Sequence, residues 1–224
     1  MIGLQYIYLS LALLFSVFWG AYLITLKSQW KKILLGSVIG LCMSLPAQYL
    51  YTEDWWYPLN ISGTRLGLED ILFGFFYGGV AIVGYPLMSS SIQFDPRNVR
   101  VLRIIFIIGL GFLTMSTSLY VIHLNSYIST IISVSVITIL INLVIKQSPS
   151  KFIIDGLYNL TLTLIVYWVL YNLNPSWIDS FYFEKSRESL LSFIPNIELF
   201  WYFSIGGLFP LALRFVSPTP ATVA

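Results

Sequence analysis

The sequence has little charge and almost no metal-binding or redox chemistry. Asp, Glu, Lys and Arg make up 10% of the 224 residues, against about 25% in an average soluble domain, whereas 57% are hydrophobic. Cys42 is the only cysteine and His123 the only histidine, which excludes a disulfide framework and a Cys/His zinc site. A net charge of +2 gives no basis for nucleic-acid binding. We therefore expect an integral membrane protein with no metal site and no nucleic-acid partner.

What the sequence has instead is a series of long runs without charge. About 20 apolar residues cross the hydrocarbon core of a bilayer as a helix, and the runs end at charged residues such as Lys27, Glu53 and Asp95. The run 104–145 is long enough for two helices, divided at the polar stretch 123–126. The sequence thus predicts an all-α integral membrane fold. Its seven transmembrane helices are expected at about 3–26, 31–51, 67–88, 99–122, 126–145, 151–173 and 195–216.

Basic residues are concentrated in alternate connections between these helices. Nine of the twelve Lys and Arg fall in the first, third and fifth connections or at the C-terminal end. Only Arg65, Lys185 and Arg187 fall on the other side. Lys and Arg favour the cytoplasmic side of a membrane. The bias predicts that the N-terminus lies outside and the C-terminus lies in the cytoplasm.

Three carboxylates fall in or beside the first turns of predicted helices. Glu69 and Asp70 begin the third helix, and Glu198 begins the seventh. An acid at a helix N-terminus is stabilised by the helix dipole, typically by about 0.3–1 kcal/mol, so capping is one interpretation. An ionisable residue within a membrane span is also a candidate functional group. The sequence leaves both interpretations open.

A weak internal repeat relates these acids. A shift of 128 residues places 67–86 on 195–214, so that Asp70 meets Glu198. Because the shift covers four spans, the two units run parallel and the two acids lie at the same depth. The sequence therefore predicts two parallel three-helix repeats joined by a central helix. The repeats are expected at 1–90 and 125–224, and the central helix at 91–124.

Aromatic side chains follow the acids at helical spacing. Phe73 and Tyr77 lie four and eight residues after Glu69, while Trp201 and Tyr202 lie three and four residues after Glu198. Aromatic residues are also common at the membrane interface. A role in binding is therefore a hypothesis beside the simpler interpretation of lipid-facing positions.

Two segments resemble the integral-membrane lycopene cyclases of the bacterial heterodimeric and the archaeal or fungal fused type. In that family a Trp-rich loop and a Gly-x-Arg-x-Gly segment precede a Pro-x-Glu-(Glu/Asp) motif at a helix start, and a second copy follows. Segment 54–79, DWWYPLNISGTRLGLEDILFGFFYGG, is similar to the first copy. Segment 194–207, IPNIELFWYFSIGG, is similar to the second. Gly67 stands at the first motif's proline, and Ile197 stands at the second motif's first acid.

The resemblance implies a cyclase that needs no cofactor and converts the linear end groups of a carotenoid such as lycopene into β-type rings. A protonated carboxylic acid starts such a reaction, and burial beside a second acid favours the protonated form. We expect Glu69 or Asp70 to donate the proton and Glu198 to adjust its acidity or take the leaving proton. The aromatic rings expected to stabilise the carbocation are Phe73, Tyr77, Trp201 and Tyr202.

The resemblance also implies partners and a location. The partners are a lipophilic carotenoid, the lipid bilayer and other enzymes of carotenoid biosynthesis, and the location is a prokaryotic cell membrane. A proton-coupled transporter of small molecules is the main alternative, because intramembrane acids and an internal repeat fit it as well. A scaffold that uses the aromatic loop 53–57 is another. A retinal photoreceptor is disfavoured, since the predicted last helix, 195–216, contains no lysine.

Overall fold

The computed structural model describes residues 2–85, 99–146, 148–184 and 188–217, and its regular structure within these ranges is helical. Short 3₁₀ turns precede the first two helices, and a π-helical turn, Thr117–Val121, follows the fourth. The prediction of an all-α fold is confirmed for the described residues. The helices are α1 (Ile7–Thr25), α2 (Trp30–Tyr51), α3 (Leu68–Ala81), α4 (Val101–Ser116), α5 (Ser126–Ile145), α6 (Pro149–Leu173), α7 (Trp177–Phe181) and α8 (Asn196–Val216).

Six helical segments of the described chain are long and apolar enough to cross a membrane. Each has a counterpart among the predicted spans, and the bounds agree within four residues at every end. Several long apolar helices in one chain indicate a multi-pass membrane protein. The segments are Leu4–Thr25, Lys27–Tyr51, Val101–Val121, Ser126–Ile145, Pro149–Leu173 and Asn196–Val216.

The third helix is shorter than the sequence predicts. α3 has 14 residues and ends at Ala81, which gives a length of about 21 Å at 1.5 Å per residue. Gly84 follows with a φ of 64°, a left-handed conformation that costs glycine little. Helix α3 therefore ends before the predicted span 67–88 does. Its last residues, 86–88, lie outside the described part of the chain.

Helices α2 and α3 pack together through glycines. A Cβ atom added to Gly40 would collide with the carbonyl oxygen of Gly74 and the Cα atom of Gly78. A Cβ atom on Gly78 would in turn collide with the carbonyl oxygen of Gly36. Small residues allow two membrane helices to approach backbone to backbone. These glycines therefore fix the distance between α2 and α3.

A valine at Gly40 is expected to destabilise this packing. The added side chain would meet backbone atoms, which cannot move aside as a flexible side chain can. Overpacking typically costs about 1–3 kcal/mol, so Gly40→Val should lower the thermal unfolding midpoint in detergent. The matched control is Gly20→Val in α1, where an added Cβ meets nothing within 4 Å. Equal midpoints for the two variants would contradict this account.

Two loops close one end of the helix bundle, which we call the acid-bearing end because α3 and α8 begin there. The loop after α2 and the segment around α7 are joined by backbone hydrogen bonds. Tyr57 N donates to the carbonyl oxygen of Phe181 at 2.6 Å, and Phe183 N donates to that of Trp55 at 3.2 Å. The two loops therefore form one layer over this end of the bundle.

The opposite end of the bundle contains a buried charged cluster. The Asp155 carboxylate accepts hydrogen bonds from Tyr85 N at 2.7 Å and from Arg214 Nη2 at 3.3 Å. Lys32, only 1% exposed, donates to the carbonyl oxygen of Val83 at 3.2 Å. Lys32 and Arg214 are among the nine basic residues that set the predicted topology. The structure buries this cluster because α2, α6 and α8 converge on the turn after α3.

Candidate active site

An apolar cavity of about 230 Å³ lies among α2, α3, α4, α5 and α8. Leu, Ile, Met, Phe and Gly form most of its wall, and Glu198 is the only carboxylic acid among the described residues that line it. The cavity reaches the acid-bearing end at Trp55 and Gln48. The site is thus a hydrocarbon-like space with one ionisable group at one end.

Glu198 lies in the first turn of α8, which begins at Asn196 directly after Pro195. Its side chain is buried, and its Oε1 accepts a hydrogen bond from Trp55 Nε1 at 3.1 Å. Its Oε2 accepts one from the Tyr167 hydroxyl at 3.2 Å. Indole and phenol donors from two other parts of the chain therefore hold this carboxyl group against the cavity.

Tyr182 supports this arrangement from the loop outside the spans. Its hydroxyl lies 3.4 Å from that of Tyr167 and also interacts with Glu198. Burial raises the pKa of the Tyr182 phenol well above its ordinary value. The phenol therefore keeps its proton and acts beside Glu198 as a neutral hydrogen-bonding group.

Asp70 lies behind the cavity wall and does not line it. Its Oδ2 accepts from the backbone N–H of Gly67 at 2.6 Å, which caps α3, and from Asn60 Nδ2 at 3.4 Å. Its Oδ1 accepts from the Tyr8 hydroxyl at 2.7 Å and from Gln48 Nε2. Tyr8 and Gln48 do line the cavity. Asp70 thus caps a helix and also orients two side chains of the site.

Glu69 points away from the cavity. Its Oε1 accepts a hydrogen bond from the backbone N–H of Ile61 at 2.7 Å, and it is not among the residues that line the cavity. Two consecutive residues of a helix point about 100° apart. Because Asp70 faces α1 and α2, Glu69 is directed into the loop before α3.

Asp70→Asn is expected to destabilise the protein more than Glu69→Gln. An amide at position 70 has one acceptor oxygen for donors from four residues, so at least one buried donor loses its partner. An unsatisfied buried donor costs about 1–3 kcal/mol. Glu69→Gln keeps an acceptor for its single Ile61 donor. Thermal unfolding in detergent measures both, and equal losses would contradict the assigned hydrogen bonds.

The four predicted aromatic residues come together in one cluster on the cavity wall. The rings of Phe73 and Tyr77 are parallel, with centroids 5.5 Å apart. Tyr202 contacts both Tyr77, at 5.1 Å, and Trp201, at 4.8 Å. Helices α3 and α8 therefore contribute two rings each to a single aromatic wall next to Glu198.

Sequence reasoning does not identify four further residues of the site. Gln48 carries a usable signal, because it is a polar residue inside an apolar run. Trp55 belongs to the Trp-rich motif, but it has no charge that would distinguish it as a residue of the site. Tyr8 and Tyr167 resemble the other tyrosines of the chain, so only the fold brings them to the acids.

No family model, curated protein or solved structure matches this chain. The resemblance to lycopene cyclases therefore depends on the two quoted motifs.

Proposed function

We propose that the chain is a carotenoid end-group cyclase that resembles the integral-membrane lycopene cyclases. One observation carries the proposal. A buried carboxyl group, Glu198, faces an apolar cavity beside a cluster of aromatic rings. Proton-initiated cyclisation of a hydrocarbon needs these components, namely an acid, a dry apolar space and groups that stabilise a cation.

Glu198 gives its proton to the terminal double bond of the linear end group and leaves a tertiary carbocation. The neighbouring double bond attacks that cation, so one carbon–carbon bond forms and the positive charge moves into the ring. Loss of a ring proton to the Glu198 carboxylate then restores the acid and fixes the ring alkene. The reaction is neutral in protons and electrons. This assignment makes Glu198 the donor in place of Glu69 or Asp70, because Glu198 alone of the three lines the cavity.

The aromatic cluster stabilises the positive charge. The face of an aromatic ring attracts a cation, with a gain of roughly 2 kcal/mol or more when both are away from water. Tyr77 and Trp201, with ring centroids 5.5 Å apart, line the same cavity as Glu198. Tyr8 and Gln48, held by Asp70, complete the wall near the acid.

We also propose seven spans, with α3 as the third, and two parallel repeats on either side of α4. Matching glycine contacts support the repeat. Gly78 of α3 contacts α2, and Gly206, 128 residues later on α8, contacts Asn159 of α6. The acid-bearing end lies outside the cell in this arrangement. With Cys42→Ser as background, a charged maleimide added outside should label Ser62→Cys and not Ser28→Cys. Labelling of Ser28→Cys and not of Ser62→Cys would show that the protein has the opposite orientation in the membrane.

A transporter is less well supported by the site. The cavity wall offers mainly hydrocarbon, whereas a water-soluble solute needs several polar partners along its route. Uptake of a labelled solute into proteoliposomes would favour the transporter.

The test of the proposed function is pigment analysis in cells that accumulate lycopene. Cells that express the chain should contain carotenes with β-type rings, separated from lycopene by chromatography. Cells with the empty vector are the control. Unchanged lycopene, despite verified insertion of the protein into the membrane, would contradict the proposal.

A further inference from the structure

The cavity extends far beyond Glu198. On α8 its wall runs from Glu198 through Ile205 to Val216, a distance of about 27 Å at 1.5 Å per residue. The far part is formed by apolar side chains that include Ile82 and Leu213. The lining residues therefore follow one helix and define a channel with its carboxyl group at one end.

The channel is open on one side. α2 packs mainly on α3, and α4 packs on α5 and α8, so that α2 and α4 share no extended interface. Side chains of both helices line the channel and remain only half-buried. They are Ile39 and Met43 on α2, and Ile104, Ile108 and Phe112 on α4. Among the described residues, a gap between α2 and α4 therefore connects the channel to the outside of the bundle.

The surroundings of this gap are apolar. On α4, Ile105 and Leu113 are exposed, and on α2 the neighbouring Val38 is exposed. Both helices belong to segments that are long and apolar enough to cross a membrane. The gap therefore opens towards the hydrocarbon of the bilayer, where a carotene is dissolved.

We propose that a linear, unsaturated hydrocarbon enters the channel sideways from the bilayer through the gap between α2 and α4, and lies along α8 with one end at Glu198. The proposal rests on the proposed function for the identity of that hydrocarbon. The cavity volume of about 230 Å³ is below the roughly 300–1,000 Å³ of pockets that enclose a drug-sized ligand. One end of a long chain is therefore bound at a time, while the rest extends through the gap into lipid.

Two glycines on α4 provide a matched test. Gly111 lines the channel, and a Cβ added there would lie 3.3 Å from Ile137 Cδ1, the far end of a flexible side chain. Gly109 is exposed, and an added Cβ meets nothing within 4 Å. Gly111→Trp places an indole in the channel, whereas Gly109→Trp places the same group in lipid.

The measurement is the amount of lycopene bound per protein in lipid nanodiscs, read from the visible absorbance of the polyene, with conversion measured separately. Binding should fall about ten-fold in Gly111→Trp, because the indole excludes the chain from its contacts on the wall, and should be unchanged in Gly109→Trp. A second pair repeats the test if Gly111→Trp does not fold. It consists of Ile108→Trp, in the channel, and Leu102→Trp, at an exposed position of α4 that does not line the channel.

The outcomes separate this inference from the cyclase proposal. Wild-type binding in Gly111→Trp and Ile108→Trp would overturn the entry route, whatever the wild-type protein converts. Equal loss in the channel and lipid-facing variants would overturn it too, as would a wild-type protein that binds no polyene. A wild-type protein that binds lycopene without converting it would contradict only the proposed cyclase function. The variant pairs would still test the entry route between α2 and α4.

Discussion

Replacement of Glu198 by glutamine is expected to abolish ring formation in a protein that still folds. Glutamine keeps the length of the side chain and one acceptor oxygen for either Trp55 or Tyr167, which donate to different oxygens of Glu198. Its amide cannot deliver a proton at a useful rate. A general acid typically contributes about 100- to 10,000-fold to the rate. The ratio of cyclised to linear carotene, measured by chromatography at matched expression, should therefore fall by at least the lower factor.

The same experiment on Glu69 distinguishes the two acids. Glu69→Gln should retain most of the ring formation, because this side chain is directed into the loop at Ile61 and not into the cavity. Bound lycopene, measured by its absorbance, should be unchanged in Glu198→Gln. Normal ring formation in Glu198→Gln, together with its loss in Glu69→Gln, would move the donor to Glu69.

Removal of Arg214 is expected to have the largest effect on stability. Arg214→Leu leaves the Asp155 carboxylate, 2% exposed, without the guanidinium that pairs with it at the end of the bundle opposite the acid-bearing end. Breaking a buried ion pair by removing one partner costs about 3–5 kcal/mol, mainly because the remaining charge is uncompensated. The unfolding midpoint in detergent should fall accordingly.

A double variant tests this explanation. Asp155→Asn removes the stranded charge and keeps an acceptor oxygen for Tyr85 N. The combination of Arg214→Leu with Asp155→Asn should therefore be more stable than Arg214→Leu alone. Losses that simply add would show that the two side chains act independently.

The helices could be predicted from the sequence because charged residues bound most of the apolar runs. Lys27 and Glu53 flank the second span, and the structure places α2 between them. The end of α3 could not be predicted in this way, since the residues after Ala81 remain uncharged and the chain turns at Gly84, which has a positive φ. The sequence does not predict α7, because a helix of five residues is too short to show a periodic pattern of hydrophobic residues.

The site was predictable only in part. Acids and aromatics at helical spacing identified the two helices that meet at the cavity. The direction of each carboxyl group depends on the rotation of α3 and α8, which packing against other helices determines. Glu69 and Asp70 are adjacent in sequence, yet one binds a loop and the other binds Tyr8 and Gln48. A hydropathy pattern contains no information on this difference.

The loop layer over the acid-bearing end has a chemical consequence. Trp55 and Phe183 are joined by a backbone hydrogen bond, and Trp55 covers Glu198, which is 5% exposed. A tertiary carbocation combines with any water molecule that reaches it, and the product is then an alcohol. Exclusion of water prevents such side reactions. For the proposed chemistry, this layer thus decides whether the pigment leaves as a pure hydrocarbon or as a hydroxylated one, and so determines its polarity and depth in the membrane.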